Sequence, residues 1–366
     1  MQEKFTHGGN VHEILRQQSG AGKLLDFSAN INPLGLANEV KAAIQDNIGQ
    51  VIHYPDPEAA DLKQALAAHY NLLPDAIVLG NGAVELLYVL FHTLRPQNVL
   101  IPVPSFGEYE RAALACQAAI TYHELAAAQD FSLTLSPDFI DKIKQADCLI
   151  LGNPNNPTGN LLPVQEIEDC LKVAKKHDCL VVIDESFIDF RADQEAYSCR
   201  KLLADYDNLF LLQSLTKFYA IPGLRLGFAA TNKTLAKKLA LAKDPWNVNL
   251  LAQKAGLAAL NATAYQEKTR VSVKAEVERL WLLLQDLPKV KAYKPTVNFI
   301  LLDISKTGYS AALFREKLLQ RQIMIRDCSN YPGLSTGYVR VAVKSPNDND
   351  ALLAALQAVL KESIMV

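Results

Sequence analysis

From about residue 76 the chain alternates short, wholly apolar runs with longer stretches whose apolar residues recur at three- and four-residue spacing. The runs Ile77-Val-Leu79, Leu149-Ile-Leu151, Leu180-Val-Val-Ile183, Leu209-Phe-Leu-Leu212 and Leu226-Gly-Phe-Ala229 are too short for surface helices and are bounded by polar or turn residues. They predict buried strands. Between them, residues 84–94 and 163–177 carry the spacing of helices with one inward face, the second opening on a proline. Such alternation predicts an α/β fold, a mostly parallel sheet covered by helices. From about residue 246 the texture changes to long helical stretches, followed by Val297-Asn-Phe-Ile-Leu-Leu302 and Val339-Arg-Val-Ala-Val343, which predict strands of a second, smaller domain.

Length and charge narrow the partners. A chain of 366 residues, 49% of them hydrophobic, exceeds one ordinary core and has ample material for two. Its 37 basic and 39 acidic residues are interspersed, with no basic stripe to neutralise a run of phosphates, so nucleic acid is not an expected partner. The opening Met-Gln-Glu-Lys-Phe-Thr-His lacks the basic-then-apolar order of a signal peptide, and no apolar run approaches a membrane span. The expected location is therefore cytoplasmic, with no membrane partner. Cys116, Cys148, Cys170, Cys179, Cys199 and Cys328 show no C-x-x-C spacing, and His12 and His53 no ligand spacing, so neither a disulfide framework nor a metal is expected.

The polar signals fall at the ends of the predicted strands, where an open α/β sheet holds its ligands. Lys217 follows two small hydroxyl residues, Ser214 and Thr216, and Arg225 comes eight positions on. An amine that can form an imine, hydroxyls and a two-pronged cation together suit the aldehyde and phosphate of pyridoxal phosphate. Gly80-Asn-Gly82-Ala83-Val84 ends a strand and opens a helix, so free backbone amides could hold a phosphate there, although the same glycines suit an ordinary turn. Gly152-Asn-Pro-Asn-Asn156-Pro157 follows another strand and could fix an asparagine amide, or form only a tight turn. Asp184 closes a buried run and needs a cation; a protonated pyridine nitrogen, a salt bridge or a helix cap would each satisfy it.

In combination these segments resemble the fold type I pyridoxal 5'-phosphate enzymes of the class I and II aminotransferase group over essentially the whole chain. His7-Gly-Gly-Asn10, Asp26-Phe-Ser-Ala-Asn-Ile-Asn-Pro-Leu-Gly35, the Ser214 to Gly227 segment and Ile325-Arg-Asp-Cys-Ser-Asn-Tyr-Pro-Gly-Leu334 are most similar to its L-threonine O-3-phosphate decarboxylase branch, related to histidinol-phosphate aminotransferases. The resemblance implies a large cofactor domain at 48–245, a small C-terminal domain at 246–366, and an N-terminal arm with part of the small domain at 1–47. It further implies that Lys217 binds the cofactor aldehyde, Asp184 the ring nitrogen and Asn156 the phenolic oxygen. Gly82, Ala83, Val84, Ser214 and Arg225 would surround the phosphate, and Phe106 would cover the ring. Tyr54 would reach across a homodimer interface to the neighbour's cofactor, giving shared active sites.

The implied partner is a small phosphorylated amino acid. Arg340 would grip its carboxylate beside Asn156, and Arg326 leads the candidates for its phosphate, followed by His7, Asn10 and Asn32. The Gly8-Gly9 arm could curl around an anion or be a terminus without fixed role. Phe187 stands where transaminating relatives usually have tyrosine, which points to decarboxylation of L-threonine O-3-phosphate to (R)-1-amino-2-propanol O-2-phosphate for the cobalamin nucleotide loop. The alternatives are a histidinol-phosphate aminotransferase, an L-serine O-phosphate decarboxylase and a non-catalytic cofactor-binding module.

Overall fold

The computed structural model describes residues 7–17 and 24–362. Seven strands form the main sheet in the order Ile77–Gly80, Gly227–Thr231, Leu209–Ser214, Leu180–Asp184, Cys148–Gly152, Asn98–Val103 and Ala119–Glu124. The last five pair in parallel, whereas Gly227–Thr231 runs against both of its neighbours. Successive residues feed opposite faces: Leu149, Leu151, Val181 and Ile183 enter one core, and Cys148, Ile150, Val182 and Phe210 the other. Burial on both faces explains why these strands read as continuous apolar runs. The two expected helices are present as Ala83–Leu94 and Val164–Lys175.

Two strands of this sheet escaped the hydrophobic pattern. Asn98–Val103 contains Pro102, which argues against a central strand, yet its pairing with Cys148–Gly152 covers only Val99 and Leu100 and leaves the proline nitrogen without a lost bond on that side. Ala119–Glu124 is the edge strand and half-exposed, so its sequence carries no apolar run.

A second, antiparallel sheet orders Arg326–Asp327, Tyr338–Ala342, Phe299–Asp303 and Lys291–Ala292 over its own core of Leu280, Phe314, Val339 and Leu356. The expected strand at Val297 starts at Phe299, because the Phe299 N–H turns back to the Val297 carbonyl and the Asn298 side chain bonds the Asn30 carbonyl. Leu25–Asp26 pairs with Ile323–Met324 and carries Phe27 into this second core. Leu250–Asn261 packs Ala252, Ala255 and Ala259 into the first core, and the changeover falls within Thr263–Gln285, where Val273 belongs to the first core and Leu280 and Leu284 to the second. Among the described residues no helix is long and apolar enough to cross a membrane.

Candidate active site

Strand register gathers the polar signals on one edge of the main sheet. Gly227 lies opposite Gly80 on one side and Ser214 on the other, and Gly152 lies opposite Asp184. Because Gly227–Thr231 is antiparallel, its preceding residue pair, Arg225-Leu226, reaches the same edge at which the parallel strands end. That is where an open α/β sheet exposes its binding crevice.

One part of this edge is built for an anion. Gly82 precedes the helix Ala83–Leu94 at φ 83°, and no side chain caps that end, so the first-turn amides point outward with the positive end of the helix dipole. A Cβ on Gly82 would overlap the Arg225 guanidinium, and a Cβ on Gly227 would overlap the Ala83 amide nitrogen. Both glycines are therefore required by close approach, the first also by its positive φ. Arg225 holds a left-handed φ of 58°, a strained backbone of the kind found at ligand clamps. Ser214 is buried, with its hydroxyl 2.8 Å from the Thr216 hydroxyl.

Lys217 donates from Nζ to the Ser214 hydroxyl at 3.0 Å. Burial pushes its ammonium down to about 8, Asp184 opposes that shift, and the Arg225 and Arg340 charges add to it. Asp184 is buried, accepting the Tyr109 hydroxyl on Oδ2 at 2.8 Å and the Ser186 amide on Oδ1 at 2.9 Å. Phe106 stands half-buried at the start of the helix Gly107–Ala115, its ring 5.8 Å from that of His7. Phe187 packs edge-on against Phe299, with Lys217 Nζ 5.9 Å from its ring centre.

The small domain supplies two buried guanidiniums. Arg326 and Arg340 face each other directly across antiparallel strands. Arg340 donates to the Asn156 side-chain oxygen and to the Ser28 carbonyl, and its buried Nε has no hydrogen-bond partner among the described residues. Arg326 donates to the Asp327 carbonyl and to Asn330 Oδ1. Directly opposed like charges are unfavourable on a strand pair, so an anion between them would be strongly held.

The remaining expected residues divide. His7 is fixed by Nε2 at 2.5 Å from buried Glu108, while Gly9 donates from N to the Ser28 hydroxyl. Asn10 lies exposed just before the helix Val11–Gln17. Tyr54 is 79% exposed, its ring against Trp246, on a segment that also exposes Ile48, Val51 and Ile52.

Asn32 requires a correction. Its amide nitrogen donates to the Phe218 carbonyl and the Thr269 hydroxyl, and its Oδ1 accepts the Leu34 amide, so both ends are committed to fastening the turn beside Lys217 rather than to an anion. Asn32→Ala is expected to cost roughly 1–3 kcal/mol of stability, read by denaturant unfolding, with the substrate KM unchanged.

Three residues were not picked out from the sequence. Asn30 is buried, its Oδ1 without a hydrogen-bond partner among the described residues, and only the fold distinguishes it from Asn32 in the same asparagine-rich run. Glu108 and Tyr109 are the second and third residues after Phe106. Burial pushes the Glu108 carboxyl up, but His7 and Arg111 outweigh it and hold the group below the usual range. The site as a whole offers an uncapped helix end, an amine of lowered basicity and a buried carboxylate, the donor set that a phosphate-bearing aromatic aldehyde with a basic ring nitrogen requires.

Comparison with known proteins agrees with this geometry. Residues 22–356 match the family described as aminotransferase class I and II. The chain is 38% identical over 363 residues to a threonine-phosphate decarboxylase of Salmonella typhimurium, covering 97% of this chain and 96% of that protein. Among solved structures it is similar to the histidinol-phosphate aminotransferase of Clostridium acetobutylicum, with TM-score 0.86, 33% identity and coverage of 93% and 100%. It is also similar to the L-threonine-O-3-phosphate decarboxylase of Porphyromonas gingivalis, with TM-score 0.79, 29% identity and coverage of 92% and 99%.

Proposed function

The chain belongs to the class I and II aminotransferase family, and from that premise we propose that it uses pyridoxal phosphate to decarboxylate L-threonine O-3-phosphate to (R)-1-amino-2-propanol O-2-phosphate for the cobalamin nucleotide loop. The observation that carries the substrate is the opposed pair Arg326 and Arg340, two buried guanidiniums suited to a molecule with two anionic ends. Full-length similarity to a threonine-phosphate decarboxylase supports the same reading.

Bound pyridoxal phosphate supplies a protonated ring that accepts the electron pair of a bond broken at the substrate's α-carbon. The residues around it have separable tasks. The helix end at Gly82 to Val84, with Ser214 and Arg225, would hold the phosphate. Asp184 would keep a proton on the ring nitrogen, Asn156 would bond the phenolic oxygen and Phe106 would cover the ring. Phe187 offers no hydroxyl where a tyrosine would give one. Arg340 and Arg326 would hold the carboxylate and phosphate apart and so fix how the substituents of the α-carbon are oriented. Lys217, half-buried and with its pKa near 8, can carry a proton to the carbon from which carbon dioxide has left.

The active unit in this reading is a homodimer. Ile48, Val51, Ile52 and Tyr54 form an exposed apolar strip that a second copy would cover, placing Tyr54 at the partner's phosphate.

The test is to incubate cofactor-loaded protein with L-threonine O-phosphate, L-serine O-phosphate or histidinol phosphate, without any 2-oxo acid, and to follow carbon dioxide and amine by mass. Carbon dioxide from the phosphothreonine is the expected result. Product only after 2-oxoglutarate is added, with glutamate accumulating, would make the protein an aminotransferase instead.

A further inference from the structure

Tyr109 lies three residues beyond Phe106, on the inward face of the helix Gly107–Ala115, and is 2% exposed. Its hydroxyl ends at Asp184 Oδ2, 2.8 Å away. The strand end opposite is shaped around it, because a Cβ on Gly152 would stand 3.2 Å from the Tyr109 hydroxyl oxygen. The Tyr109 ring meets Phe106 edge-on at 5.6 Å and 87°, so one side chain braces both the carboxylate and the ring beside it. Burial first, and then the Asp184 charge, push the phenol well above its ordinary range, which leaves it a permanent donor.

We propose that Tyr109 is a positioning residue for the reaction, its hydroxyl fixing the Asp184 carboxylate and moderating its basicity so that the shared proton stays on the cofactor ring nitrogen. This inference rests on the assignment of Asp184 to that nitrogen. The carboxylate accepts one bond on each oxygen, from Tyr109 on Oδ2 and from the Ser186 amide on Oδ1, and each oxygen keeps a lone pair for a further donor. Hydrogen bonds to a carboxylate stabilise its charged form and lower its affinity for a proton. The Ser186 bond comes from the backbone and is common to any side chain at that position. The Tyr109 bond is the one set by side-chain choice. Without it Asp184 becomes the stronger base, the proton lies closer to the carboxylate, and the ring withdraws electrons less strongly. The Tyr109 hydroxyl is committed to Asp184, whereas the substrate ends are assigned to Arg326 and Arg340, so the loss should fall on the chemical step and not on binding.

The experiment compares holoenzymes of the parent, Tyr109→Phe and Asp184→Asn, each loaded with pyridoxal phosphate carrying nitrogen-15 in the ring, whose resonance reports where the shared proton lies. In Tyr109→Phe the resonance is expected to move from the parent value toward that of Asp184→Asn. Its kcat should fall about tenfold, in line with loss of one hydrogen bond to a charged group, at a KM within about twofold of the parent. If Asp184→Asn moves the resonance and Tyr109→Phe does not, Tyr109 is a packing residue and the inference is overturned, whatever the variant's melting temperature. If Asp184→Asn also leaves the resonance in place, the assignment of Asp184 to the ring nitrogen falls, and the inference with it.

Discussion

Turnover by the Lys217→Ala protein is expected to fall by more than about a thousandfold, because the proposed function gives that one side chain both the cofactor aldehyde and the proton at the α-carbon. Two further measurements separate this from loss of fold. Capture of pyridoxal phosphate by the parent apoprotein needs the neutral amine, so its rate should rise with pH through a midpoint near 8 rather than near the ordinary 10.5. Stability should respond with a defined sign. Below pH 8 the folded and unfolded chains both carry the Lys217 charge, and the full penalty of burying it is present. Between 8 and 10.5 the unfolded chain binds more protons than the folded one, so this group's destabilisation fades as pH rises. Lys217→Met, which keeps a side chain of similar length without the charge, should therefore melt higher than the parent apoprotein at pH 7, and the advantage should shrink toward pH 10.5. An advantage that does not change with pH would show that the Lys217 amine is not the group being relieved.

The paired arginines are the second place where a single change should have a large effect. Arg340→Ala is expected to lower kcat/KM by roughly a hundredfold or more, the scale of one lost bidentate pair with a carboxylate. Arg326→Ala should lower it comparably for the phosphorylated substrate, while unphosphorylated L-threonine, already a poor substrate, should lose little. In each variant, relief of the cross-strand opposition of two buried cations is offset by loss of the hydrogen bonds that the guanidinium makes, so both should stay folded with melting temperatures close to the parent's. Steady-state kinetics on the two amino acids, with thermal melts of the same proteins, check this. Equal losses on phosphorylated and unphosphorylated substrate in Arg326→Ala would remove that residue from the phosphate site.

How far the sequence could be read depended on which residues were fixed by neighbours along the chain and which by neighbours across it. Central strands such as Leu180–Asp184, buried on both faces, were visible as apolar runs. Lys217, Asp184 and Gly82 were visible because each sits where such a run ends. Asn98–Val103 was hidden by Pro102, whose tolerance depends on how far its neighbour's pairing extends. Asn32 and Asn30 could not be told apart, because only the positions of Phe218 and Thr269 show that the first amide is already occupied. Tyr109 gave no signal at all: its role is defined by a strand end 75 residues further along the chain. The facing of Arg326 and Arg340 is likewise a property of strand register, which no local pattern encodes.

Ser28 connects two parts of the molecule that the chain keeps far apart. Its hydroxyl accepts the Gly9 amide and donates to Asp26, a Cβ on Gly8 would overlap its carbonyl, and that same carbonyl holds the Arg340 guanidinium. Seating of the 7–10 segment and orientation of the Arg340 guanidinium are thus two readings of one residue's geometry. Thermodynamic reciprocity then applies: by whatever factor a ligand on Arg340 tightens the docking of that segment, docking of the segment tightens the ligand. Affinity at this site then becomes a property that can be tuned from the 7–10 segment, by how firmly it seats on Ser28.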